Sequence, residues 1–156
     1  MHATAAMPVL DAIPVLAELA RCSRLSRPQR CAAYWLAADH SASRGSTACT
    51  TGAYDGQPRA KNVQPGVSNY RVSEAAVRLG RLQEFMRRHE RATMAALMHP
   101  TAKPWDVLMQ LGAASGYSQR DAVRGAGVAT VQALLETVAD FYRAHNWSLT
   151  QHAEAA

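Results

Sequence analysis

The feature that most constrains the fold is a long amphipathic pattern over residues 69–99, NYRVSEAAVRLGRLQEFMRRHERATMAALMH. Its apolar residues recur every three or four positions, which is the spacing of one face of an α-helix. They are Val72, Ala76, Leu79, Leu82, Phe85, Met86, Met94 and Leu97. Ser73 is suited to cap the start of this helix, and Pro100 ends it. An apolar stripe of this length has to be covered, so the pattern predicts a helical bundle.

The rest of the chain supports a mainly α domain. Helical patterns also occur before residue 41 and after residue 103, whereas residues 41–70 are rich in Ser, Thr, Gly, Asn and Pro and predict a long internal loop. Aromatic residues make up 6% of the chain and apolar residues 48%, which favours helices packed through small side chains over a β-sandwich. The predicted units of this one compact domain are N-terminal helices (1–40), the loop (41–70), a long helix with a C-terminal helix-turn-helix (71–146) and a tail (147–156).

The helix-turn-helix is predicted from the stretch GYSQRDAVRGAGVATVQALLETV, residues 116–138. Ser118 can cap a short helix that ends near Gly125, Gly127 can form the turn, and a longer helix follows. One feature is atypical of the motif: Val123 stands where a small residue is usual. Two helices of a bundle joined by a glycine turn are the alternative interpretation.

The motif assigns roles to individual side chains. On its second helix Thr130 and Gln132 face base edges beside Ala129, because hydroxyl and amide groups can recognise bases and Gln is suited to adenine. Residues of the preceding, shorter helix hold phosphates; they are Ser118, Gln119, Arg120 and Arg124. A second, sequence-independent basic surface is predicted on the long helix, from Arg78, Arg81, Arg87, Arg88 and Arg91.

The charge distribution is compatible with a polyanionic partner or with a solvated basic surface. The formal net charge is +5, and all but two of the basic residues are arginine, whose planar fork suits phosphate. However, residues 104–156 contain three bases and five acids, so the positive field lies outside the predicted helix-turn-helix. Four arginines near the N-terminus recur at intervals of three: Arg21, Arg24, Arg27 and Arg30. This spacing predicts either a phosphate-facing strip or, preferably, a solvated turn.

In order and spacing, four segments resemble phage antitermination proteins of the Q type and related phage and prophage regulators. The segments are AAYWLAADH, TGAYDGQP, VSEAAVRLGRLQEFM and YSQRDAVRGAGVATVQALLETV, and together they span roughly residues 30–140. The last is similar to region four of sigma factors. The resemblance implies a transcription regulator that binds double-stranded DNA near a promoter and contacts RNA polymerase. The rival hypothesis is a helical protein–protein interaction module without nucleic-acid binding.

Signals for a metal or for catalysis are weak. Cys22, Cys31, His40 and Cys49 follow one another at equal intervals of nine, and three thiols with an imidazole can bind zinc. Structural zinc sites normally use ligands two to four residues apart, so coincidence is the preferred interpretation and no metal or cofactor is predicted. The chain also lacks an H-E-x-x-H motif, a P-loop and a nucleophile elbow. We therefore expect no enzymatic activity.

The expected location is the cytoplasm. No run of eighteen apolar residues occurs, and the N-terminus lacks the early basic residues and uninterrupted apolar core of a signal peptide. Three cysteines without an export signal favour reduced thiols. The pattern predicts no membrane partner and leaves the oligomeric state open.

Overall fold

The computed structural model describes residues 7–53, 65–99, 101 and 103–144, and it confirms the mainly α fold. The described residues form six α-helices and two short 3₁₀ helices, and no strand occurs among them. The helices are α1 (Pro14–Arg21), α2 (Arg27–Ala53), α3 (Pro65–Phe85), α4 (Arg88–Leu97), α5 (Pro104–Gly112) and α6 (Arg120–Ala144), and the 3₁₀ helices are Met7–Ala12 and Ala113–Ser115. Within these ranges no helix has the length and apolar character needed to cross a bilayer.

The long loop predicted for residues 41–70 is wrong wherever the structure describes that segment. Helix α2 continues to Ala53 and α3 begins at Pro65, while residues 54–64 lie outside the described residues. Ser and Thr suggested a loop, but their hydroxyls can bond to carbonyls of the preceding turn, as Ser43 does to the His40 carbonyl at 2.9 Å. No proline lies between residues 29 and 57, so nothing in the backbone stops α2.

The single long helix predicted over residues 69–99 is divided into α3 and α4. The break follows Met86, where the Arg87 backbone N–H donates to the Glu90 carboxylate at 2.8 Å. Arg91 then donates through Nη1 to the Met86 carbonyl at 2.7 Å, which satisfies an acceptor at the end of α3. Ser73 lies inside α3 rather than at its start. Of the predicted apolar stripe, Leu82, Met86, Met94 and Leu97 are buried and Leu79 is half-buried, whereas Ala76 and Phe85 are exposed, Phe85 by 49%.

The turn predicted at Gly127 is also wrong, because α6 is one helix of 25 residues. Gly127 is buried in its middle, where α5 crosses. A Cβ atom on Gly127 would lie 1.9 Å from the Leu108 carbonyl oxygen, and one on Gly112 would lie 1.7 Å from the Val123 carbonyl oxygen. The two glycines therefore allow the α5 and α6 backbones to approach closely. The glycine that suggested a turn belongs to a helix crossing.

The turn that does join two helices at this end of the fold lies between α5 and α6. Gly116 adopts a left-handed conformation there, with φ of 82°. The Ser115 hydroxyl donates to the Gly112 carbonyl at 2.6 Å and accepts from the Tyr117 backbone N–H at 3.2 Å. Every residue from 113 to 120 is exposed. The hairpin is thus held by its own hydrogen bonds and by the glycine crossing.

Candidate nucleic-acid interface

The predicted DNA-contacting residues do not share one face of α6. Ala129 is exposed, and Arg120, which is also exposed, precedes it by nine residues. At 3.6 residues per turn, nine residues make two and a half turns, so the two positions lie on opposite sides of the helix. Arg124 lies within about 40° of Arg120 by the same geometry. Gln132 lies about 80° from Arg124, and Thr130 about 80° from Arg120, so the predicted phosphate-binding and base-recognising groups are spread around α6 instead of sharing one face.

The two polar residues assigned to base recognition form hydrogen bonds within the fold. Thr130 donates through its hydroxyl to the Ala126 carbonyl at 2.9 Å. Gln132 donates through Nε2 to the carbonyl of Arg24, between α1 and α2. The side-chain amide of Gln132 is thus a tertiary contact. Ser118 and Gln119 are exposed in the turn that precedes α6.

The contact made by Gln132 places N-terminal arginines beside α6. One turn further along α6, Glu136 accepts a hydrogen bond from Gln29 Nε2 at 3.0 Å. Gln29 is itself held by reciprocal capping with Ser26, in which each side chain accepts from the other residue's backbone N–H, at 2.9 and 3.3 Å. Three exposed arginines lie within a few residues of Ser26 and Gln29 in the sequence. We call them the N-terminal arginine group: Arg24, Arg27 and Arg30.

On its other side, α6 contacts the start of α4. The Thr137 hydroxyl donates to Glu90, which also accepts from the Arg87 backbone N–H. Burial acts to raise the pKa of Glu90, but the hydrogen bonds from Thr137 and Arg87 outweigh it, and the pKa lies below its usual value. The carboxylate therefore stays ionised and fixes the start of α4. The exposed arginines there form the α4 arginine group, Arg87, Arg88 and Arg91.

An exposed strip of α6 lies between these two arginine groups. Gln132 and Thr137 are about 140° apart around the helix. The exposed positions between them are Gly125, Ala129 and Ala133, followed toward the carboxyl end by Glu136 and Asp140. Glycine and alanine are too small to keep a partner away from the helix backbone. The strip is therefore a shallow surface with arginines on both sides.

The carboxyl-terminal half of the strip carries two acids. Glu136 and Asp140 are exposed. Glu136 accepts from Gln29, and Asp140 forms an ion pair with Arg143 at 3.0 Å. Because exposed pairs of this kind contribute little energy, Arg143 mainly offsets the local charge. The amino-terminal half of the strip, around Gly125 and Ala129, is the part better suited to an anion.

Arg78, predicted to belong to the basic surface, instead forms a partly buried ion pair with Asp39. Its Nε lies 3.1 Å from Oδ2 of Asp39 and its Nη2 lies 2.7 Å from Oδ1. Asp39 is only 3% exposed and also accepts from the Tyr142 hydroxyl at 2.9 Å. Trp35 stacks on Tyr142 with 5.6 Å between ring centroids. This cluster joins α2, α3 and α6, and it removes Arg78 from the candidate interface.

Replacement of Tyr142 by phenylalanine tests the cluster. Burial, with the charge of Asp39, raises the pKa of the Tyr142 hydroxyl above its ordinary value of 10.0. Loss of its hydrogen bond to a carboxylate should lower the free energy of unfolding by about 1–2 kcal/mol near pH 7. As the pH rises, Tyr142 loses its proton at a lower pH in the unfolded chain than in the folded protein. The stabilisation that Tyr142 provides should therefore be complete below pH 10 and decrease above it.

Urea unfolding followed by circular dichroism between pH 7 and 11 measures both effects. The difference between wild type and Tyr142→Phe should narrow above pH 10, since the variant lacks this titration. Tyr117→Phe is the matched control because Tyr117 is 60% exposed. Equal effects of the two substitutions would contradict the role assigned to Tyr142.

The equally spaced cysteines and histidine do not converge. Cys31, His40 and Cys49 all belong to α2, so successive members lie about 13 Å apart along the axis and on opposite sides of the helix. Burial also raises the pKa of the Cys31 thiol, which disfavours the thiolate that zinc needs. Cys22 is exposed beyond α1. The described residues contain no group of three or more metal-ligating side chains.

The structure thus replaces part of the predicted site. Ala129, Arg81, Arg87, Arg88 and Arg91 remain exposed. For the N-terminal arginine group, the sequence left open a phosphate-facing strip but favoured a solvated turn, and the group was not included among the predicted DNA-contacting residues. Its position beside α6 depends on the Gln132 and Gln29 hydrogen bonds, which join residues more than a hundred positions apart.

Comparison with protein-family models, with curated proteins and with solved structures gives no match for this chain. The functional assignment therefore rests on the chain's own geometry.

Proposed function

We propose that this protein is a DNA-binding transcription regulator that holds double-stranded DNA against the exposed strip of α6. The observation that carries the proposal is the placement of two arginine groups, from distant parts of the sequence, on either side of Gly125, Ala129 and Ala133. Arginine suits phosphate because its planar fork offers several donors at once. The net charge of +5 acts in the same direction.

The contact would be made chiefly to the phosphate backbone. Gly125, Ala129 and Ala133 have no polar side-chain atom with which to recognise base edges, and the amide of Gln132 is bonded to Arg24. Sequence preference then comes from the shape and deformability of the duplex. We include RNA polymerase as a second partner that would place the protein at its promoters, as in antitermination by phage and prophage regulators.

Salt dependence is the decisive measurement. If five arginines of the two groups, Arg24, Arg27, Arg30, Arg87 and Arg88, contact phosphates, the logarithm of the association constant should fall with the logarithm of salt concentration with a slope of about −4.5. Fluorescence anisotropy with a labelled 20-base-pair duplex between about 50 and 300 mM salt gives this slope. Binding that does not change with salt, or no binding at low salt, would exclude the proposed contact.

Selection of duplexes from a random pool, with and without RNA polymerase, tests the polymerase part of the proposal. Enrichment that appears or sharpens only when polymerase is present supports it. Equal enrichment in both conditions assigns sequence preference to this chain alone, and no enrichment in either condition rejects the regulatory role.

A helical interaction module remains the second candidate, because two large apolar side chains are exposed on α3. Val77 is 52% exposed and Phe85 is 49% exposed. An interface built on these side chains would bury apolar surface and respond little to salt. The same titration therefore separates the two functions.

A further inference from the structure

Among the arginines whose side chains the structure describes, Arg124 is distinguished by its contact with an aromatic ring. Its guanidinium carbon lies 5.0 Å from the ring centroid of Trp105, on the first turn of α5. Its Nε is buried without a hydrogen-bond partner among the described residues, and none of its nitrogens forms an ion pair within the same part of the chain. Arg124 is half-buried, and contact of its guanidinium with the indole face restricts the freedom of a group that can bind a carboxylate through two nitrogens.

Arg124 contacts a tryptophan and lies close in the chain to an exposed tyrosine and a second, exposed arginine. Trp105 is partly buried, Tyr117 is 60% exposed in the turn before α6, and Arg120 is exposed one turn before Arg124. Tryptophan, tyrosine and arginine are the residues most enriched among those that dominate binding energy at interfaces. We call these four residues the Trp105–Arg124 patch. It lies on the side of α6 opposite Ala129, so a duplex on the strip does not cover it.

We propose that the Trp105–Arg124 patch binds a segment of another protein in which an aspartate or glutamate stands beside an apolar side chain. The carboxylate would accept two parallel hydrogen bonds from the terminal nitrogens of Arg124, a geometry that the guanidinium matches. The apolar neighbour would pack on the exposed ring of Tyr117. This contact is separate from the proposed DNA surface and does not depend on it.

Local charge favours a single carboxylate over a phosphate chain. Asp106 follows Trp105 and Asp121 follows Arg120, and both acids are exposed. Glu18 of α1, whose pKa is lowered chiefly by its hydrogen bond with Arg21, is also influenced by the Trp105 side chain. Glu18 is already paired with Arg21, but Asp106 and Asp121 balance the two arginines, so a polyanion gains little there. One carboxylate placed directly on the fixed guanidinium still gains a charge-assisted pair.

A displayed library of random 12-residue peptides, selected on the immobilised full chain, tests the proposal. Enriched peptides should share an Asp or Glu next to an aromatic or aliphatic residue. Their affinity should fall roughly tenfold or more in Arg124→Ala and should stay unchanged in Arg143→Ala, an exposed arginine of the same helix. No enrichment, enrichment without acidic residues, or equal binding to Arg124→Ala would each overturn the proposal.

Two further variants separate positioning from folding. Arg124→Lys keeps the charge but loses the planar fork, so peptide affinity should still fall. Trp105→Phe keeps an aromatic ring beneath the guanidinium and should retain more affinity than Trp105→Leu, with circular dichroism reporting whether each variant is folded. Arg124→Ala should leave the salt slope for duplex DNA unchanged. A slope reduced by about 1 would place Arg124 on the DNA instead, and it would overturn the assignment to a protein partner.

Discussion

Replacement of Gly127 by alanine is expected to lower the free energy of unfolding by about 3 kcal/mol, at the upper end of the usual cost of overpacking. The added methyl would lie 1.9 Å from the Leu108 carbonyl oxygen and 2.7 Å from its carbonyl carbon. Both are backbone atoms, so no side-chain rotation can make room and α5 has to move away from α6. Urea unfolding followed by circular dichroism measures the loss.

Gly125→Ala is the matched control, two positions away in the same helix. Nothing lies within 4 Å of a Cβ built on Gly125. Inside a continuous helix this substitution should raise the free energy of unfolding by roughly 0.5–1 kcal/mol, because alanine has the higher helix propensity. A turn at residues 125–127 would give the opposite sign, since alanine would extend a helix that has to end there. Loss of stability in Gly125→Ala would therefore contradict the continuous α6.

The second large effect is expected on DNA binding. Replacing Arg24, Arg27 and Arg30 together by alanine should weaken binding to any duplex on the order of a hundredfold near 0.1 M salt and make the salt slope shallower by about 3 units. All three arginines are exposed, so the fold should survive their loss. Fluorescence anisotropy on two duplexes of unrelated sequence measures the affinity and shows whether the loss is uniform.

Arg120→Ala provides the control for that experiment, because Arg120 is also exposed but lies on the opposite side of α6 from Ala129. The DNA affinity of Arg120→Ala and the salt dependence of its binding should match those of the wild type. If Arg120→Ala weakens binding while the triple variant does not, DNA meets the amino end of α6 and the strip is not the interface. A loss confined to one of the two duplexes would indicate base recognition by the arginines, contrary to a phosphate contact.

These two experiments test different levels of the structure. The glycine pair tests whether α5 and α6 cross at Gly127, and it needs no ligand. The arginine variants test whether the surface created by the tertiary contacts of Gln29 and Gln132 binds an anion. If the glycine variants behave as expected but the arginine variants bind DNA as the wild type does, the fold is supported and the DNA surface is not. The helical interaction module would then be the better hypothesis for the function.

The apolar periodicity of the sequence was sufficient to predict the mainly α class and much of the core. Leu82, Met94 and Leu97 are buried as their spacing predicts. On α6, Val131, Leu134 and Val138 are buried in the same way. Periodicity succeeds here because burial of one face is a local consequence of a 3.6-residue repeat. It does not require knowledge of which helix provides the cover.

The ends of the helices were predicted less well, because the effect of a glycine, serine or threonine on a helix depends on what packs against it or bonds to it. Gly127 suggested a turn, yet its lack of a Cβ is needed for contact with the Leu108 backbone. Ser and Thr after residue 40 suggested a loop, yet α2 continues through them to Ala53. The break after Met86 carries no proline or glycine, and it is stabilised by the side chains of Glu90 and Arg91.

The sequence by itself therefore determined the class of the fold, its apolar faces and its surplus of arginine. Only the tertiary structure decided which arginines share a surface. It pairs Arg78 with buried Asp39, stacks Arg124 on Trp105, and places Arg24 beside Gln132 of α6. The physical reason is that burial follows from local periodicity, whereas the grouping of charges depends on hydrogen bonds and helix crossings between residues far apart in the chain.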